Sequence, residues 1–104
     1  MNKIVYLPLA RQDMQEITRY IAYDLHSPKA AQDLLDVFER EIKLTADFPK
    51  IHTVYPPTAR FRNPYRFIPV KNYLIFYVVL DDGIEIRRIV YGKMDLSKLD
   101  LEDK

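Results

Sequence analysis

The chain has 104 residues, 48% of them hydrophobic and 30% charged, with a formal net charge of +1, which is enough for one compact core and too little for two ordinary domains. Its longest apolar stretch, Tyr73 to Leu80, falls far short of the roughly 20 residues a membrane span needs, and no signal-like apolar run with a cleavage site follows Lys3. The absence of cysteine removes disulfides and thiolate metal sites, so a soluble, cytoplasmic protein without metal or cofactor is expected.

Lys3 to Leu7 is β-rich and is stopped by Pro8, which predicts a short first strand. From Leu9 to about Leu25, the residues Met14, Ile17, Ile21 and Leu25 recur at three- and four-residue spacing. Charged Arg11, Asp13, Glu16 and Arg19 fall mostly on other faces, the pattern of an amphipathic helix. Ser27 before Pro28 fits an N-cap followed by proline at the first helical position. A second helix therefore begins there and runs through Ala31, Leu34, Leu35, Phe38 and Ile42 to about Asp47, before Pro49. The short break between the two predicts an antiparallel helical hairpin.

Residues 49–64 hold four prolines and read as one long loop. Three strands follow, Tyr65–Val70, Tyr73–Leu80 and Ile84–Tyr91, joined by turns at Lys71-Asn72 and Asp81-Asp82-Gly83. Both alternating sets of Tyr73–Leu80 are apolar, so this strand should be central and covered on both faces. Gly92 is read as backbone freedom where the last strand turns outward, with Asp95 capping that turn. The expected architecture is α+β: a strand, a two-helix hairpin, then a three-stranded antiparallel meander. One domain spans residues 1–95, and the charge-alternating tail 96–104 is expected to be flexible.

Charge is unevenly spread. Residues 1–48 carry six Lys/Arg against eight Asp/Glu, residues 49–95 eight against four, and residues 96–104 two against three. The basic excess in the strand-rich half favours phosphate or an acidic protein partner.

The element order, with Tyr65-Arg66, the run Val70-Lys71-Asn72-Tyr73-Leu74-Ile75-Phe76-Tyr77 and the ending Arg88-Ile89-Val90-Tyr91-Gly92-Lys93-Met94-Asp95, resembles the RelE/ParE toxin superfamily of bacterial type II toxin–antitoxin modules. The likeness covers nearly the whole chain. It implies a small toxin that arrests growth and is held inactive by a cognate antitoxin, which would cover the helical hairpin and sheet with an acidic segment that orders on binding. A homodimer or a toxin–antitoxin hetero-oligomer is left open. RelE-like members cleave messenger RNA on the ribosome, whereas ParE-like members poison DNA gyrase, and the shared scaffold does not choose between them.

Metal-independent RNA cleavage needs cations around the scissile phosphate and groups that move protons. By the family pattern, Arg66 and Arg88 would supply phosphate charge, Lys93 transition-state charge and Tyr91 the proton. Ile68, Leu74 and Met94 stand where further basic residues would be expected, and no histidine follows His52. These departures favour poisoning of gyrase over the alternative, a ribosome-dependent endoribonuclease. Arg60 and Arg62, which flank Phe61, and Lys71 are candidates for binding nucleic acid or the target. Against these roles stands a plainer reading: Arg66, Arg88 and Lys93 as solvated charges or partners of Asp82, Glu85 or Asp95, and Tyr91 as a packing residue. Tyr73 and Tyr77 are assigned to the core or to antitoxin contact.

Overall fold

In the computed structural model, which describes residues 2–55 and 65–93, the chain runs β1 (Lys3–Tyr6), α1 (Pro8–Arg19), a π-helical turn (Tyr20–Asp24), α2 (Pro28–Asp47), β2 (Arg66–Val70), β3 (Tyr73–Leu80) and β4 (Gly83–Tyr91). The expected α+β order is observed. Arg60, Arg62, Asp95 and the tail 96–104 lie outside the described residues.

The four strands form one sheet in the order β1-β4-β3-β2, with β1 parallel to β4 and the other pairs antiparallel. Strand β3 is interior, and its two alternating sets of side chains enter different clusters. Tyr73, Ile75, Tyr77 and Val79 join Phe38 and Ile42 of α2 and Ile17 and Ile21 of the first helical segment, whereas Leu74, Phe76, Val78 and Leu80 pack with Tyr65 and Val90 on the opposite face. Each fully buried Ile or Phe on these faces contributes about 1.5–3 kcal/mol of apolar transfer energy, so a double-sided β3 anchors the whole sheet.

Proline sets both helix starts. Pro8 and Pro28 occupy the first turns of α1 and α2, where the missing amide costs nothing and the fixed φ suits the helix. Ser27 is the N-cap residue of α2, although its side chain makes no capping hydrogen bond; its carbonyl accepts from Ala31 N at 3.1 Å. The sequence predicts one helix to Leu25, but regular α-geometry ends at Arg19 and a π-helical turn follows. A π turn widens the ring of each hydrogen bond by one residue, so later side chains rotate out of the apolar stripe. Ile21 still packs on the core, but Leu25 is 54% exposed. His26 then takes the left-handed conformation at φ 53°, and Ser27 N donates back to Ile21 O at 3.1 Å, a Schellman-like closure lengthened by the π turn.

Two further details depart from the expected loops. The prolyl stretch is not all loop, because Val54 bridges Arg66, Tyr55 N donates to Tyr65 O and Phe67 N donates to Thr53 O, so the chain lies against the outer edge of β2. Gly83 is the first residue of β4 rather than a turn glycine, and it has no positive φ. Its smallness serves a close approach: a Cβ there would overlap the Lys3 carbonyl of β1.

Candidate functional site

The parallel pairing of β1 with β4 ends at Tyr6 opposite Ile86, and Leu7 N closes it by donating to Ile86 O at 3.0 Å. From there β1 gives way to α1, so among the described residues the remainder of β4 has no strand on that side. Asp13 of α1 fills the role of the missing strand. Its Oδ2 accepts from Ile89 N at 2.9 Å and from Arg88 Nε at 2.7 Å, and its Oδ1 accepts from Arg88 Nη2 at 3.1 Å. The carboxylate is 9% exposed at the residue level, and a charge so placed must be paired and hydrogen-bonded. Among the described residues Arg88 is thus paired with Asp13, and Glu85 pairs elsewhere.

Next to it the strands are out of step. Phe76 faces Arg88 while Tyr77 faces Ile86, leaving Arg87 as the extra residue of a β-bulge. Arg87 pairs with Glu85 at 2.9 Å and lies over the Tyr65 ring, 5.7 Å from its centroid. Among the described residues this is the ion pair that Glu85 makes.

The remaining residues singled out in the sequence separate into two regions. Arg66 stands directly across from Tyr77, and its Nη1 donates to the His52 carbonyl at 2.7 Å. Tyr77 is fully buried, donates to the Pro49 carbonyl at 2.6 Å and meets the His52 ring edge-on. Burial raises the Tyr77 phenol pKa, with Arg66 opposing that shift. Burial likewise lowers the His52 pKa, against the pull of Glu41. Arg66 therefore fastens the start of the prolyl segment to β2.

Tyr91, Lys93 and Lys71 collect at the other end of the sheet. Tyr91 is opposite Tyr73, and Gly92 N donates to Asn72 O at 2.7 Å, so Lys71 and Lys93 each lie one residue from that bond and both are exposed. The strand ends at Tyr91 and the chain turns at Gly92, as expected, although Gly92 has no positive φ and a Cβ would sit 3.3 Å from Asn72 O. Tyr77 and Tyr73 are four residues apart on β3 and lie opposite Arg66 and Tyr91 respectively. With about 3.4 Å per residue and about 4.8 Å per strand, the Cα atoms of Arg66 and Tyr91 are about 17 Å apart.

Beside Tyr91 a cavity of about 490 Å³ opens between α1, the π-helical turn and the strands. Its aromatic walls are Tyr20, Tyr73 and Tyr91, with Ile17 and Ile89 beneath them and the Asp13 and Glu16 carboxylates on the helix side. Tyr73 and Tyr91 meet edge-on at 6.0 Å, and Phe38 meets Tyr73 at 5.8 Å. Burial first, and then the nearby Tyr20 and Tyr91 phenols, raise the Tyr73 pKa. Sequence reading missed Asp13, Glu16 and Tyr20. The spacing of Ala10, Asp13 and Ile17 was the signal for the first, since it puts a carboxylate on the buried stripe of α1.

Among the described residues no helix is long and apolar enough to cross a membrane, and no group of three or more His, Asp or Glu could hold a metal ion. The family model described as ParE toxin of type II toxin-antitoxin system, parDE, matches residues 4–96. No curated protein gives a significant match to the chain.

Proposed function

Because the chain belongs to the ParE toxin family of type II toxin–antitoxin systems, whose members are paired with a cognate antitoxin, we propose that it arrests growth by binding and poisoning DNA gyrase rather than by cutting messenger RNA. The observation that carries this reading is the separation of the cationic and phenolic groups. Metal-independent cleavage needs charge stabilisation and proton transfer at a single phosphate, with each group about 3 Å from its atom. The Cα atoms of Arg66 and Tyr91 lie about 17 Å apart, while Arg66 is bonded to the His52 carbonyl and Arg88 to Asp13. A protein interface makes no such demand, since a typical one spreads over about 800 Å² of each partner. Lys71, Tyr91 and Lys93, exposed at one end of the sheet, are then contact groups for the target, while Arg66 and Arg88 hold the frame that presents them. Such a target places the toxin in the cytoplasm.

Purified toxin incubated with gyrase, supercoiled DNA and ATP is expected to accumulate cleaved DNA covalently joined to gyrase, while messenger in a translating extract stays full length. The opposite pair of results, cut messenger on the ribosome and unaffected gyrase, would replace this reading with the endoribonuclease. In that case Tyr91→Phe should abolish cutting without unfolding the protein.

A further inference from the structure

The tyrosine-walled cavity has the wrong lining for a nucleic acid and a suitable one for a cation. Among the described residues no lysine or arginine lines it, and its polar side instead carries two carboxylates, which would repel a phosphate. Asp13 is already taken up by Arg88 and the Ile89 amide. Glu16 is different. Its carboxylate accepts from Gln12 Nε2 at 3.1 Å, and among the described residues no cation pairs with it. Three phenol rings line this one cavity, and a guanidinium plane stacks on such rings as well as pairing with a carboxylate. Ile17 and Ile89 supply an apolar floor for a methylene stem. The volume lies within the roughly 300–1,000 Å³ range of ligand pockets.

We infer that this cavity receives an arginine side chain of the cognate antitoxin, with the guanidinium stacked among Tyr20, Tyr73 and Tyr91 and paired with Glu16. The inference rests on the toxin–antitoxin reading for its occupant, and adds to it a specific recognition element. It also divides the antitoxin's contacts by charge: acidic residues face Lys71 and Lys93 at the end of the sheet, and one basic residue crosses to the helix side. Because Glu16 and Tyr20 are both exposed at the rim, the pair is screened and its contribution is modest.

The test has two arms that fail separately. In the first, the full-length toxin with labelled tyrosine rings is titrated with Nα-acetyl-arginine methylamide and, in parallel, with the uncharged citrulline analogue. Saturable shifts of the Tyr20, Tyr73 and Tyr91 signals are expected with arginine alone, weakened about fivefold by Glu16→Gln, with the remaining tyrosine signals unmoved as proof of folding. Equal shifts with citrulline, no shifts, or no effect of Glu16→Gln would overturn the proposal. In the second arm, wild-type and Glu16→Gln toxins are titrated with the purified antitoxin, and the variant is expected to bind about fivefold more weakly. Equal affinity would overturn the proposal while leaving the antitoxin in place. A wild-type toxin that binds no antitoxin would remove the occupant itself, whatever the arginine titration shows.

Discussion

Asp13 gathers three hydrogen bonds on two oxygens, from Arg88 twice and from the Ile89 amide once. Removing it takes two hydrogen bonds and the paired charge from a largely buried guanidinium and the side-chain acceptor from a backbone donor, and a broken buried pair costs more than the net value of the bonds it contained. Asp13→Ala is therefore expected to lower unfolding free energy by about 3 kcal/mol, measured by urea denaturation. Arg88→Leu should cost less, because Asp13 keeps its bond from the Ile89 amide and stays near water at its 11% exposed side chain. Equal losses from the two would show that the ion pair, rather than the closure of the β4 edge, dominates. Arg88 was legible from the sequence as a residue with a task, but its partner was not. The two are 75 positions apart, and only the crossing of α1 over the open edge of β4 brings them together. Helical periodicity alone ranks Asp13 with the polar faces, although Ala10 and Ile17 on the same stripe are the corrective signal.

The elements were legible wherever one periodicity runs unbroken. Tyr73–Leu80 is a strand with both predicted limits, because eight consecutive apolar residues between two turns admit few other readings. Legibility failed where the period changes partway. The π-helical turn shifts Leu25 out of the helical stripe, and the bulge at Arg87 moves the core-facing series of β4 from Ile84 and Ile86 to Ile89. In the second case the skipped beat is visible in Ile84-Glu85-Ile86-Arg87-Arg88-Ile89, where strict alternation would have buried Arg88. The two glycines make a paired prediction about strand geometry. A methyl group on Gly83 collides with the Lys3 backbone and must separate β1 from β4, so Gly83→Ala should lose about 3 kcal/mol by chemical denaturation. Gly92→Ala meets only the Asn72 carbonyl at 3.3 Å with no positive φ to oppose it, and should change stability by less than about 1 kcal/mol. A large loss at Gly92 with none at Gly83 would overturn this assignment of the crowded position to Gly83.

Across the whole molecule, the formal excess of basic residues in the strand-rich half shrinks once the partners are known. Arg66 is bonded to a carbonyl, while Arg87 and Arg88 are each paired with a carboxylate, so the exposed cations of the described part of this half are Lys50, Lys71 and Lys93, the last two at one end of the sheet. The sequence could show the surplus but not which cations the fold had already engaged. The two lysines make no salt bridge among the described residues and lie on either side of one backbone hydrogen bond. Reversing both to glutamate moves the net charge from +1 to −3 and should alter stability by no more than about 0.5 kcal/mol, because neither side chain is buried. If this end of the sheet meets gyrase, the double variant Lys71→Glu, Lys93→Glu should need at least about tenfold more toxin for the same DNA trapping. The salt dependence of trapping should flatten with it, since rim charges act mainly on the encounter rate and are screened within about 10 Å at 0.1 M salt. A variant that traps DNA as well as wild type at every ionic strength would move the target-binding surface elsewhere on the toxin. A loss of trapping that persists unchanged in high salt would instead point to shape rather than charge at that end of the sheet.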